Sequence, residues 1–245
     1  MPSIYLAPST QDFNPTVVGE SEEYYMNRIA DALEPWLRAC GIRYRRNRIS
    51  MTTAQTIAES NGGSYDLHLA LHSNAAPPSL SGQLRGSDVY YAANSTRGRR
   101  AADDFVRALK TVYPVPADVR ARGTSSLGEV TKTRAPAVLL ELAYHDNPTD
   151  AAWIRDNISR IAAALAAGLC RYFRIPLVTP VPVRTGKVSV TRGTLNLRAA
   201  PSRDSRVIAS LPRGAAVTVV GDAGNGWLAV EQNGQYGFAA SQFIR

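Results

Sequence analysis

The chain has 245 residues, 44% of them hydrophobic and 20% charged, and carries 28 Lys and Arg against 20 Asp and Glu for a net charge of +8. That balance belongs to a globular protein large enough for one substantial core and a second, smaller one. No run approaches the ~18 apolar residues of a membrane span. The basic surplus lacks the motifs and aromatic interleaving of a nucleic-acid binder. Neither membrane nor nucleic acid is therefore an expected partner, and the chain reads as a monomer. The segment Met1-Pro-Ser-Ile-Tyr5 has no basic start and leads into no apolar leader core, so no signal peptide is expected. Cys40 and Cys170 each close an apolar helix-like segment and read as buried thiols.

In chain order, Ile4–Ala7 reads as a strand. A helix follows, with Met26, Ile29, Leu33 and Leu37 on one face, and Gly41 ends it. Ile42–Arg46 reads as a strand, Thr53–Asn61 as a short helix, and Leu67–His72 as a buried strand. Asp88–Tyr91 is a further strand, residues 98–112 a helix, Ala137–Leu142 an apolar strand and residues 151–173 a long helix. This alternation predicts an α/β domain over residues 1–175, with a twisted, mostly parallel sheet and helices on both faces. Pro176, Pro180 and Pro182 fall within eight residues and predict a stiff linker over 176–186. Beyond it, strand-like runs begin near 187, 195, 207, 216, 227 and 236, with Gly or Pro turns between them. These predict a small all-β barrel over 187–245.

Three residues break the apolar pattern where chemistry could use them. His72 ends the strand Leu67-His-Leu-Ala-Leu-His72, and an imidazole at the C-terminal end of a strand is well placed to hold a metal. His68 shares its face but lies ~13 Å back along a regular strand, so it reads as structural. Glu22 starts the first helix on the face of Met26 and Ile29. A carboxylate facing a core is costly unless it is paired or bound to metal; the alternative is a helix-start cluster of Ser21, Glu22 and Glu23 that favours the dipole. Glu141 interrupts Ala137-Val-Leu-Leu-Glu141, where burial would raise its pKa and suit it to proton transfer. The alternative there is pairing to a structural arginine. His145 lies in a loop just past Glu141.

The segments around Glu22 and Ile29-Ala30, Leu71-His-Ser-Asn-Ala75, Gly86-Ser-Asp-Val-Tyr-Tyr91 and Ala135-Pro-Ala-Val-Leu-Leu-Glu141 resemble the zinc-dependent N-acetylmuramoyl-L-alanine amidases over residues 3–173. The tail resembles a bacterial SH3 domain through Thr194-Leu-Asn-Leu-Arg-Ala-Ala-Pro201, Gly226-Trp227 and Gly234-Gln-Tyr-Gly-Phe238. The resemblance implies a peptidoglycan hydrolase of the cell wall or extracellular space that cleaves the bond between muramic acid and L-alanine. It implies Zn2+ held by Glu22 and His72, Glu141 as catalytic base and acid, Asn74 as a substrate-binding residue, and peptidoglycan as partner. The family usually opens with Asp-Pro-Gly-His-Gly-Gly, and its histidine is the first zinc ligand. Here Ala7-Pro-Ser-Thr-Gln-Asp12 places Thr10 at that position. Gln11 is then the expected third metal ligand, with Asp12 and His145 as alternatives. Two other functions stay open: a wall-binding protein without catalysis, and a peptidase acting on the stem peptide.

Overall fold

The computed structural model describes residues 1–245, and the chain divides into two units. One comprises Pro2–Glu34 with Arg43–Phe173; the other comprises Arg174–Arg245 with Pro35–Ile42 and Met1.

The larger unit runs β1 (Ser3–Pro8), a small hairpin of β2 (Pro15–Thr16) and β3 (Gly19–Ser21), α1 (Glu22–Ala39), β4 (Arg43–Arg46), α2 (Thr53–Gly62) and β5 (Leu67–Asn74). It continues with β6 (Ser87–Ala92), α3 (Thr96–Leu109), β7 (Val119–Thr124), α4 (Gly128–Thr131), β8 (Ala137–Tyr144), α5 (Pro148–Asp156) and α6 (Ile158–Phe173). The sheet order is β4-β1-β5-β8-β6-β7. All adjacent pairs are parallel except β6 with β8, which are antiparallel. The expected α/β domain with a mostly parallel sheet is thus present, with one reversal.

Strand pleating sorts the side chains. Ile4, Leu6, Leu67, Leu69, Leu71, Val138 and Leu140 are fully buried on one face. The opposite face holds an apolar cluster of Tyr5, Ala7, Ala70, Ala137, Leu139 and Val130 of α4. His68 and His72 share that second face, so two imidazoles lie along a row that is otherwise small and apolar.

Four elements differ from expectation for physical reasons. The long helix is two, α5 and α6, because Asn157 takes a non-helical conformation and turns its amide Nδ2 back onto the Trp153 carbonyl at 3.0 Å. Helix α5 also starts earlier than expected. Asn147 caps it by accepting from the Thr149 and Asp150 amides, and Pro148 takes its first turn. Strand β7 alternates Arg and small residues at the sheet edge, which leaves little apolar signal. The short α4 lies below the length at which periodicity can be read.

Helix α6 packs on α3, and the contact is tight at Gly168. A Cβ there would meet the Phe105 ring at 2.7 Å, and Phe105 is fully buried. Gly168→Ala should therefore destabilise the fold by about 1–3 kcal/mol through overpacking, despite alanine's better helix propensity, and so lower the melting temperature. Thermal unfolding followed by circular dichroism checks this.

The second unit contains β9 (Thr179–Lys187), β10 (Thr194–Arg198), β11 (Val207–Pro212), β12 (Ala216–Gly224), β13 (Trp227–Gln232) and β14 (Gln235–Ala240). They form an antiparallel sheet in the order β11-β10-β14-β13-β12-β9. Leu195, Leu197, Leu211, Val217, Val219, Val230 and Ala239 gather into one core. Most of the segment expected as a linker, 176–186, lies in β9, an edge strand paired with β12 from Thr179↔Asp222 to Lys187↔Ala216. Proline lacks a backbone donor but is tolerated on an edge strand, so Pro180 and Pro182 do not prevent pairing. The β unit accordingly begins before residue 187.

No helix of the chain is long and apolar enough to cross a membrane. Cys40 and Cys170 are both buried.

Candidate active site

The site is built at the C-terminal ends of β5 and β8, where register sets His72 opposite Glu141. Across the antiparallel pair, Asp88 of β6 is also opposite Glu141. The loop after β1 and the start of α1 close over these strand ends. Asn14 fixes that closure. Its carbonyl accepts from the Glu22 backbone amide at 2.9 Å, and its Nδ2 donates to Gln11 Oε1 and Glu22 Oε2, each at 3.0 Å. One asparagine thus orients both Gln11 and Glu22.

His72 stands at the centre. Its Nδ1 lies 2.9 Å from Glu22 Oε1 and 3.4 Å from Gln11 Nε2. Its Nε2 donates to Glu129 Oε2 at 2.9 Å. The other Glu129 oxygen faces His68 Nε2 at 3.4 Å, and His68 Nδ1 meets Ser60 Oγ of α2 at 2.9 Å. His68 also stacks on Tyr5 with ring centroids 5.4 Å apart. A continuous polar row therefore runs Glu22–His72–Glu129–His68–Ser60 beneath the site. Every one of these residues is buried, so each polar group needs the partner it has.

The electrostatics follow from burial and these partners. Burial alone would depress the His72 pKa, but hydrogen bonds to Glu129 and Glu22 outweigh it and hold the imidazole well above its usual value. Burial would raise Glu129, yet its bonds to His68 and His72 bring it down to about 2. Glu22 is likewise lowered against burial, mainly by its bond to His72. Glu141 goes the other way. Burial pushes it up to about 7, with the charges of Glu22, Asp88 and Glu129 adding to the rise and His72 opposing it. Its Oε2 is buried and has no hydrogen-bond partner. Neighbouring carboxyls held at such different pKa values are suited to different roles in acid–base chemistry.

Gln11, Glu22 and His72 present an amide, a carboxylate and an imidazole to one spot. The 2.9 Å between His72 Nδ1 and Glu22 Oε1 is compatible with neighbouring donors around a zinc with ~2.0–2.1 Å bonds, whereas Gln11 turns its Nε2, which has no lone pair for a metal, towards His72 Nδ1 at 3.4 Å and its Oε1 towards Asn14. A carboxylate behind the distal imidazole nitrogen is the usual support for a metal-ligating histidine. Glu22 and His72 are donors of the kind zinc takes, and Gln11 would present its amide oxygen to the same spot only with its amide turned over. No group of three His, Cys, Asp or Glu side chains is placed to hold a metal.

Of the other residues singled out in the sequence, His145 borders this cluster and the rest lie outside it. Thr10 and Asp12 line a neighbouring cleft of about 430 Å3 with Gln11, Phe13, Glu23 and Met51. His145 is buried with Nδ1 at 2.9 Å from Ser73 Oγ and 3.1 Å from the Ser73 carbonyl, and 4.0 Å from Glu22 Oε2. Asn74 spends its Oδ1 on the Ala75 amide at 2.9 Å. Sequence reasoning missed Glu129 and Asn14, which join the cluster from a four-residue helix and a loop. The only available hint was the polar Glu129 between Gly128 and Val130.

The sequence profile of the N-acetylmuramoyl-L-alanine amidase family matches residues 9–171, and that of the bacterial SH3 domain matches residues 193–245. The chain belongs to the N-acetylmuramoyl-L-alanine amidase family, with a bacterial SH3 domain at its C-terminal end. It is 42% identical over 60 residues to the putative N-acetylmuramoyl-L-alanine amidase YrvJ of Bacillus subtilis, covering 24% of this chain and 11% of that protein. It is 27% identical over 154 residues to the probable cell wall amidase LytH of Staphylococcus aureus, covering 62% of this chain and 50% of that protein. The chain thus matches about half or less of the length of these relatives. Among solved structures, the amidase AmiC2 of Nostoc punctiforme superposes with a TM-score of 0.63 at 16% identity, over 71% of this chain and 97% of that one. The catalytic domain of the CD27L endolysin, which targets Clostridia difficile, gives 0.57 at 23% identity, over 69% and 97%. At these identities the structural likeness establishes the fold of the first unit.

Proposed function

We propose that the chain is a peptidoglycan hydrolase of the cell wall. Residues 1–175 would cleave the amide between N-acetylmuramic acid and the L-alanine of the stem peptide, and the SH3-like tail would hold the enzyme on the wall. The observation that carries this is the placement of Glu141, whose buried Oε2 has no hydrogen-bond partner, beside the Gln11–Glu22–His72 cluster at one strand end. Gln11, Glu22 and His72 would hold zinc, which when bound supplies a Lewis acid for the scissile carbonyl and makes water a better nucleophile near neutral pH. Glu141 Oε2 takes the proton of the attacking water and delivers it to the nitrogen of the departing L-alanine. Glu129 keeps His72 Nδ1 turned towards Glu22, and Asn14 keeps Gln11 and Glu22 in place.

The test is digestion of purified Gram-positive peptidoglycan with and without zinc, followed by identification of the new termini. Free L-alanine amino termini with lactyl carboxylates are expected. New termini within the stem or cross-link would mean a peptidase, and wall binding with no new termini would mean a binding protein.

Gln11→Ala should weaken zinc binding by roughly ten-fold or more, in line with loss of one group from the shell, whereas Asp12→Ala should leave it unchanged. Competition against a fluorescent chelator reads both. The reverse pattern would move the third ligand to Asp12.

A further inference from the structure

Strand register puts Asp88 of β6 directly across from Glu141, and Tyr90 of β6 beside Arg122 of the edge strand β7. Asp88, Tyr90 and Arg122 therefore share the face that holds His72 and Glu141. Asp88 is buried, and its Oδ1 takes Arg122 Nε at 2.7 Å while the arginine side chain stays 44% exposed. With Nε spent on a buried, fixed carboxylate, the two terminal nitrogens of the guanidinium remain for another acceptor. Tyr90 and Tyr144, both half-buried, lie within reach of the charges of Asp88, Arg122 and Glu141. Burial, then the charge of Asp88, holds both hydroxyls above their usual pKa against the opposing charge of Arg122. Both thus stay protonated donors at neutral pH. Surface arginines are common. What sets Arg122 apart is a buried anchor beside Glu141, which lowers the entropy cost of aiming a fork that binds carboxylates in pairs.

We infer that Arg122, with Tyr90 and Tyr144 beside it, receives the α-carboxylate of the stem peptide's second residue and makes the enzyme selective for stems in which that group is free; this rests on the amidase reading above. The second residue, a γ-linked D-glutamate, carries the first ionised group past the scissile amide. Its α-carbon lies one residue step, ~3.8 Å, beyond that of L-alanine. Arg122 lies a matching distance away, one cross-strand step of about 5 Å and one ion pair from Glu141. Amidation of the carboxylate would remove its charge and set an NH2 donor against the guanidinium.

The test uses the full chain with zinc and two purified peptidoglycans that differ only in carrying D-glutamate or D-isoglutamine at the second stem position. L-Alanine amino termini should appear at least about ten-fold faster from the free acid, at substrate levels where the rate follows kcat/KM, as loss of a charge-assisted hydrogen bond implies. Arg122→Gln should bring the two rates together. Arg122→Lys keeps a charge beside Asp88 without the fork, and its preference should fall between. Arg120→Gln, on the same edge strand, should keep the wild-type preference. Circular dichroism checks the fold of each variant. Equal rates of wild type on the two walls, or a preference unchanged in Arg122→Gln, would overturn the inference and leave the amidase reading standing. So would an equal loss on both walls in Arg122→Gln, the mark of an arginine that only neutralises Asp88. No alanine termini from either wall would remove the amidase reading and the inference with it.

Discussion

On the proposed mechanism, Glu141→Gln is expected to cost about 10²–10⁴ in turnover, the usual share of a positioned general acid–base, and zinc binding at the proposed site should survive it, because Glu141 is not among the groups that face one another about His72 Nδ1. The same change should stabilise the zinc-free protein at alkaline pH. Glu141 titrates near 7 in the folded chain against its usual 4.5. The folded state therefore keeps a proton that the unfolded chain has released between those values. A raised carboxyl of this kind lowers stability progressively as pH rises from about 4.5 to 7, and the full cost is present above 7. The displacement corresponds to something on the order of 3 kcal/mol. Glutamine is neutral throughout, so its melting temperature should exceed wild type at pH 8 and match it near pH 4.5. Activity that survives the substitution would remove Glu141 from the reaction. A melting curve that does not shift at pH 8 would show that the carboxyl is better solvated than its surroundings indicate. A residue that weakens the fold and is kept where chemistry needs it is a common form of the trade between stability and activity.

The parts of the site legible in the sequence are those where a polar residue breaks a periodic apolar run. His72 and Glu141 stand out because β5 and β8 are otherwise apolar and buried, and Glu22 because helix phase turns it towards the core. The alternation of elements also conveys the α/β order of the first unit, and the turn residues of the tail convey its strands. What the sequence conceals are contacts that carry no period. Glu129 reaches the imidazoles from a single helical turn, and Asn14 reaches Gln11 and Glu22 from a loop, so only the folded chain brings them to the cluster. Strand β9 is concealed for a different reason. Its prolines read as a linker, and only the neighbouring edge of β12 makes that extended segment a strand. The reversal of β6 against β8 likewise depends on where the chain crosses over, and two separated strands say nothing about their relative direction.

The second large effect is expected at Glu129, which no apolar pattern marks. Its two oxygens take up the facing nitrogens of His72 and His68, and those bonds hold it ionised to about pH 2 in spite of burial. Glu129→Ala leaves both imidazoles without their acceptor. Removing one partner of a buried charged network typically costs about 3–5 kcal/mol. Glu129→Gln is the more informative change, because it keeps the volume and one acceptor oxygen but sets an amide donor against an imidazole N–H. If the carboxylate fixes the tautomer and direction of His72, zinc affinity of the folded Gln variant should fall about 10–100-fold, the usual effect of losing the group behind a ligating histidine. Ser60→Ala removes the hydrogen bond at the far end of the same row. It should cost about 1 kcal/mol of stability, read as a lower melting temperature, while leaving zinc affinity near wild type. A chelator-competition titration of both variants below their melting temperatures separates the two roles. Equal zinc affinity in the Gln and Ser60 variants would make Glu129 a packing residue of the sheet face. A loss confined to the Gln variant would make it the group that aims His72.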